Sequence, residues 1–244
     1  MPSTHRRPTL PMPANPVLKG ILAVVLLGLA AILVVQLWFL VHVIVWREVD
    51  PSSTSFMRRQ LEVLRERNPK ADLKHRWVGY YQLSAHLKRA VIASEDSRFP
   101  EHDGVDWEAI EQAFERNTKR GRIAFGGSTI TMQLAKNLFL SGDRSYLRKG
   151  QELVIAYMLE AIMSKQRILE IYLNVAEWGV GVFGAEAAAR HYFGVSAAQL
   201  SPAQAARLAA MLPRPRYYDQ HRGSGPLARR AAIVQRRMTA VEVP

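Results

Sequence analysis

Residues 95–103 bring Glu95, Asp96, Glu101, His102 and Asp103 close together. Burial raises a glutamate pKa toward the range useful for a general base, and a buried glutamate beside cations suits glycosyl transfer. Asp96, His102 and Asp103 can also be read as metal ligands, though at no recognisable ligand spacing. A second group, Lys136, Arg148 and Lys149, can converge on a phosphate or diphosphate if its helices form a hairpin across residues 140–145. The same spacing allows three solvated charges, with Arg148 pairing Glu152 at i, i+4 for about a few tenths of a kcal/mol. Between the groups, GRIAFGGST at residues 121–129 comes close to a phosphate-binding loop, but Gly127 stands where the lysine belongs. No strand precedes it, which argues against a nucleotide triphosphatase. A Gly-Gly turn opening a helix at Ser128 still offers backbone N–H groups to an anion, or is simply a tight turn. Neither a Gly-x-Ser-x-Gly elbow nor a His-Glu-x-x-His helix is present. With no cysteine in the chain, disulfides, cysteine-ligated zinc, iron-sulfur clusters and thiol nucleophiles are excluded.

The elements that must hold these groups read as helices. Ser84 caps a helix whose inward positions are Leu87, Val91 and then Glu95, because residues four apart share a face. Asp106 caps a helix carrying Trp107, Ile110 and Phe114, and Gly121 ends it. Ser128 is the expected cap of the next, with Ile130, Leu134 and Leu138 on one stripe and Gln133, Lys136 and Leu140 beside it. Helices are expected over 146–164, despite Gly150, and over 166–175. Ser201, Pro202 and Gln204 supply a cap, an N1 proline and an N3 amide. No alternating strand ladder is legible, so the fold class is all-α, in one domain.

Residues 20–46 contain no Lys, Arg, Asp or Glu, enough for a membrane-spanning helix. The run ends in Trp38, Phe39 and Trp46 rather than in a small-residue cleavage site, which reads as an uncleaved anchor. The expected organisation is a cytoplasmic tail at 1–18, an anchor at 19–46, a juxtamembrane region at 47–82 and a catalytic domain at 83–244 outside the membrane. Phe56, Leu61 and Leu64 with interleaved arginines suggest a juxtamembrane helix. Of the net charge of +12, residues 1–46 hold Arg6, Arg7 and Lys19 with no acid, so most of the excess lies beyond the anchor. Such an excess suits a polyanionic partner, whether nucleic acid, anionic lipid or a phosphorylated substrate.

EDSRFPEHDGVDW from Glu95, GGSTITMQLAKNLFL from Gly126, RKGQE from Arg148, KQRILEIYLN from Lys165 and RHYFG from Arg190 resemble, in order, the five motifs of the peptidoglycan glycosyltransferases, in the monofunctional rather than the penicillin-binding form. The resemblance implies a lysozyme-like, two-lobed helical domain behind one transmembrane helix in the bacterial inner membrane, with the domain periplasmic. It implies polymerisation of lipid II into β-1,4-linked glycan with inversion and release of undecaprenyl diphosphate. Glu95 is then the catalytic base and Glu152 the second essential acid, which either orients the cations or acts on the leaving group. Lys136, Arg148 and Lys149 hold diphosphate, and Ser128, Thr129, Gln133 and Asn137 line the donor site. Tyr172, Asn174, Arg190 and Tyr192 fall to structural roles. The partners implied are lipid II, the growing strand, the membrane and cell-wall synthesis or division proteins, with no nucleic acid. No cofactor is required, although a divalent cation, Mg²⁺ or Mn²⁺, can assist such enzymes. The chain departs from the pattern at Met132, where a second glutamine is usual, and at Gln204, where glutamate is common. Two other readings of the same residues are a lytic glycosidase on a similar scaffold and a non-catalytic, membrane-tethered binder of anionic polymer.

Overall fold

The computed structural model describes residues 16–121, 126–140 and 145–244. Most of the cytoplasmic tail, part of the glycine-rich stretch (122–125) and most of the expected hairpin turn (141–144) lie outside the described residues. The chain divides into two compact units, residues 1–41 and 42–244. The first contains most of α1 (Pro16–Glu48), one apolar helix with a mean hydropathy of 2.8 across its best window and almost all of its surface uncovered by protein. A helix of this length and composition can cross a bilayer.

The second unit begins in the last turns of α1, which are tied into it. Trp46 stacks on Phe139, ring centroids 4.9 Å apart. Arg167 donates to the Trp46 carbonyl at 3.0 Å and to that of Val49 at 3.0 Å, and pairs with Asp50 at 2.9 Å. One guanidinium thus satisfies carbonyls that the end of a helix leaves open. The expected juxtamembrane helix is α2 (Ser55–Arg67), capped by Thr54, with Met57 and Gln60 buried.

Helix α3 (Ala85–Glu95) starts where expected, the Ser84 hydroxyl accepting from the His86 N–H. Leu87 and Val91 are fully buried, and Glu95 continues their stripe with its side chain 9% exposed. Helix α4 (Trp107–Arg120) is capped by Asp106 and stopped by Gly121 at φ +62°, a conformation that costs glycine nothing. Next come α5 (Ile130–Phe139), α6 (Tyr146–Ile162) and α7 (Lys165–Val175). The cap of α5 is Thr129, which accepts from the Met132 N–H, and not the expected Ser128. Helix α6 stops short of the expected residue 164 because Ser164 caps α7, accepting from the Arg167 N–H. The chain closes with α8 (Ala185–Phe193), α9 (Pro202–Met211), α10 (Pro215–Gln220) and α11 (Gly225–Arg237). The Ser201–Gln204 capping box at α9 forms as read.

Helix α3 packs on α9 and α11, while α5 packs on α6 and α7, so the two helices that carry the site are each held by two others. The unit is helical apart from a small sheet that the sequence did not announce. Strands β1 (Lys74–His75), β2 (Glu177–Gly179) and β3 (Val182–Phe183) lie in the order β1-β3-β2, parallel between β1 and β3 and antiparallel between β2 and β3. Lys74 stands opposite Val182 and Glu177 opposite Phe183.

Candidate active site

Glu95 ends α3 with its carboxylate inside a small cavity of about 210 Å³, lined also by Ser128, Thr129, Asp106 and Arg237. Its Oε1 accepts from the Ser94 hydroxyl at 3.0 Å and its Oε2 from the Gln133 side-chain N–H at 3.1 Å. An ionised Glu95 can only accept, which turns the Gln133 N–H₂ toward it and leaves the amide oxygen to accept from the Tyr172 hydroxyl at 3.0 Å. Burial pushes the Glu95 pKa above its ordinary value of 4.5, against the pull of Gln133, Ser94, Arg230 and Lys136. Burial also raises the phenol of Tyr172, so it stays a neutral donor. Tyr172 was expected to be structural; it stands one hydrogen bond behind the residue that holds Glu95. We expect Tyr172→Phe, which frees the Gln133 amide to turn, to lower turnover by about 5- to 10-fold, the worth of about 1 to 1.5 kcal/mol for one buried hydrogen bond. The initial rate of the transfer reaction measures this, and an unchanged rate would remove Tyr172 from the arrangement.

Asp96, the next residue, is a brace. It accepts from the Ile130 N–H at 2.9 Å, at the start of α5, and from His102 Nε2 at 3.0 Å, which fixes the loop after α3 to α5. Among the described residues, the clustered candidate metal ligands are Asp96, His102 and Asp106, with Asp106 in place of the expected Asp103. Asp106 spends one oxygen on the Ala109 N–H, and its other oxygen lies 3.8 Å from Arg98. Asp96 and Asp106 hold the starts of α5 and α4, and the buried His102 Nδ1 has no hydrogen-bond partner among the described residues; no chemical step is routed through a divalent cation here.

Thr129 bonds the Gly104 carbonyl at 2.6 Å. Gly104 sits at φ +85°, and a Cβ there would meet Glu160 Cγ at 2.9 Å and the Ala156 carbonyl at 3.3 Å. Gly104→Ala is therefore expected to cost about 2 kcal/mol and to lower the Tm by about 4–8 °C. Thermal unfolding in detergent measures this; an unchanged Tm would show that the loop yields freely.

The cations gather beside this acid. Glu152 is buried in α6 and pairs with Arg148 at 2.8 Å and with Lys149, the first being the i, i+4 pairing that the spacing allowed. Lys149 also donates to the Ser128 hydroxyl at 3.0 Å. Ser128 lines the Glu95 cavity, so through this bond Lys149 reaches the wall of that cavity. Lys136 is half-buried on α5, its ammonium 5.5 Å from the Phe56 ring centroid. Burial lowers its pKa chiefly; attraction to Glu152 and Glu95 works against this, while Arg148 and Lys149 add to it. Lys136 thus senses both acids. Asn137 lies half-buried one position further on, one turn after Gln133. A larger cavity of about 630 Å³ opens over Lys136 and Arg148, walled by Phe56, Arg59, Arg214 and Tyr217 among others.

The other three residues given structural roles make contacts within the domain. Asn174 bonds the Val78 backbone on both sides of its amide, Arg190 pairs with Glu186, and the Tyr192 hydroxyl donates to the Trp178 carbonyl. Three residues escaped the sequence reading. Arg59 and Arg214 reach the large cavity from α2 and the turn before α10. Arg230 of α11 approaches Glu95 Oε1 at 3.7 Å. Nothing in the spacing of α11 points to its packing partner.

A family model described as Transglycosylase matches residues 60–239. The chain is 63% identical over 213 residues to a biosynthetic peptidoglycan transglycosylase of Janthinobacterium sp. (strain Marseille), covering 87% of this chain and 92% of the relative. It is 61% identical to one from Herminiimonas arsenicoxydans, over 90% of this chain and 95% of the relative. A third, from Bordetella pertussis, is 60% identical, over 93% and 95%. By both the family model and these relatives, the chain belongs to the transglycosylase family.

Proposed function

We propose that this chain polymerises lipid II into peptidoglycan glycan strands by inverting glycosyl transfer, at the outer face of the bacterial inner membrane, with α1 as a single-pass anchor. The observation that carries the proposal is a buried glutamate, Glu95, beside a cluster of cations built around a second buried glutamate, Glu152. The acceptor is a sugar alcohol and the departing group a lipid diphosphate, so the site needs a base for the first and positive charge for the second.

Glu95 takes the proton of the acceptor 4-hydroxyl. The oxygen attacks the anomeric carbon of the donor from the face opposite the diphosphate, the bond from that carbon to the diphosphate oxygen breaks, and undecaprenyl diphosphate leaves with the electron pair. An α-linked diphosphate becomes a β-1,4 glycoside. Negative charge grows on the leaving oxygens, where preorganised cations stabilise the transition state more than the ground state. Lys136, Arg148 and Lys149 supply that charge; Ser128, Thr129, Gln133 and Asn137 line the donor side. Glu152 holds Arg148 and Lys149 in place, since one carboxylate bonds both. A hydrolase cutting a neutral glycosidic bond has no use for such a clamp.

The test uses the full chain in detergent with lipid II. Release of undecaprenyl diphosphate with lengthening glycan is expected. Soluble muropeptides released from preformed sacculi, without polymer from lipid II, would overturn the proposal in favour of lytic chemistry. Salt-sensitive binding without turnover would favour a non-catalytic module.

A further inference from the structure

Two helices address the two oxygens of Glu95. From α5, Gln133 donates to Oε2, and Lys136 follows on the same helix. From α11, Arg230 lies against Oε1, its Nη2 3.7 Å from that oxygen and 3.4 Å from the Ser94 hydroxyl. The single hydroxyl proton has two acceptors in reach, Oε1 at 3.0 Å and the Ala209 carbonyl at 3.3 Å, so Arg230 reaches the carboxylate directly and, when Ser94 donates to Oε1, through Ser94 as well. Leu227 and Val234 bury the helix on either side of Arg230, and α11 packs on both α3 and α9. The side chain remains 41% exposed. None of the five motifs includes it.

We propose that Arg230 is the positioning residue that keeps the Glu95 carboxylate ionised and in place while a diphosphate occupies the cations beyond α5. The proposal rests on the reading of Glu95 as base and Lys136 as diphosphate ligand. Burial works against ionisation of Glu95, and Gln133, Ser94, Arg230 and Lys136 work for it. A bound diphosphate draws on the positive charge of Lys136 and adds negative charge beside Glu95. Arg230 stands on a different helix against the other oxygen, so its support persists in the substrate complex. Among the described residues, Arg230 is the α11 arginine within ion-pair distance of Glu95. Asp96 is committed to His102 and the Ile130 N–H, Tyr172 is a neutral donor behind Gln133, and Asp106 and Arg237 line the cavity wall.

The experiment compares Arg230→Gln, Arg230→Lys and Glu95→Gln with the unaltered full chain in detergent, measuring kcat and kcat/KM for lipid II polymerisation across about pH 5 to 9. Loss of the charge is expected to move the acid limb of kcat upward by about one pH unit. The ratio of the plateau rate to the rate below the limb then grows by about tenfold. The limb of kcat/KM, which reports the free enzyme, is expected to move less, because Lys136 is then unoccupied. Arg230→Lys should restore the limb. A purely structural role would lower the rate equally at every pH; an unmoved limb, or a lysine variant displaced as far as the glutamine one, would overturn the proposal. If Glu95→Gln is inactive while the Arg230→Gln limb stays put, this proposal alone falls. Wild-type turnover in Glu95→Gln would remove the base itself, and this proposal with it.

Discussion

Glu95→Gln is expected to lower kcat for lipid II polymerisation about a thousandfold, within the range removed with a general base and equivalent to about 4 kcal/mol of barrier. The substitution keeps the shape of the side chain and removes its capacity to take a proton. The cations that hold diphosphate are untouched, so lipid II binding should change by less than about threefold, a little over half a kcal/mol. Turnover and binding measured on the same preparation separate the two effects. Lost binding together with lost turnover would indicate a collapsed site, and preserved turnover would remove Glu95 from the chemistry.

Lys136→Ala is expected to lower kcat by about 10²- to 10³-fold, the scale of losing one preorganised group that stabilises developing charge. The site should survive the change, because Glu152 retains Arg148 and Lys149 as partners and is not left as a lone buried charge. Lys136 is the clamp residue whose charge is felt by both acids, so its loss weakens the stabilisation of the leaving diphosphate and removes one of the supports for ionised Glu95. Single-turnover rates of undecaprenyl diphosphate release check this. Full kcat in the variant would reduce the cluster to surface charge.

Much of this arrangement is written locally. The inward turn of Glu95 follows from Leu87 and Val91 at four-residue spacing, and the caps at Ser84, Asp106 and Ser201 follow from hydroxyl and carboxylate chemistry within three residues of each helix start. The pairing of Arg148 with Glu152 is likewise a property of one helix. What escaped depends on elements distant in sequence. Ser128 and Thr129 are adjacent hydroxyl residues with equal claim to cap α5; the choice is made by Lys149, which takes the Ser128 hydroxyl, and by the Gly104 carbonyl, which receives that of Thr129. Strands of two or three residues are too short to show alternation, so the sheet left no pattern. Arg230 meets Glu95 through the packing of α11 on α3, which no spacing within either helix encodes.

The most direct test of the central claim, a buried carboxylate acting as base beside a cationic clamp, is the pH dependence of kcat/KM for lipid II polymerisation by the full chain. A protonated Glu95 cannot accept the acceptor's proton, so the rate must fall as pH drops through its pKa. Burial places that pKa above the ordinary 4.5. The account predicts a one-proton acid limb above that value, absent from any residual activity of Glu95→Gln; a rate that stays flat down to about pH 4.5, or the same limb in the variant, would contradict it.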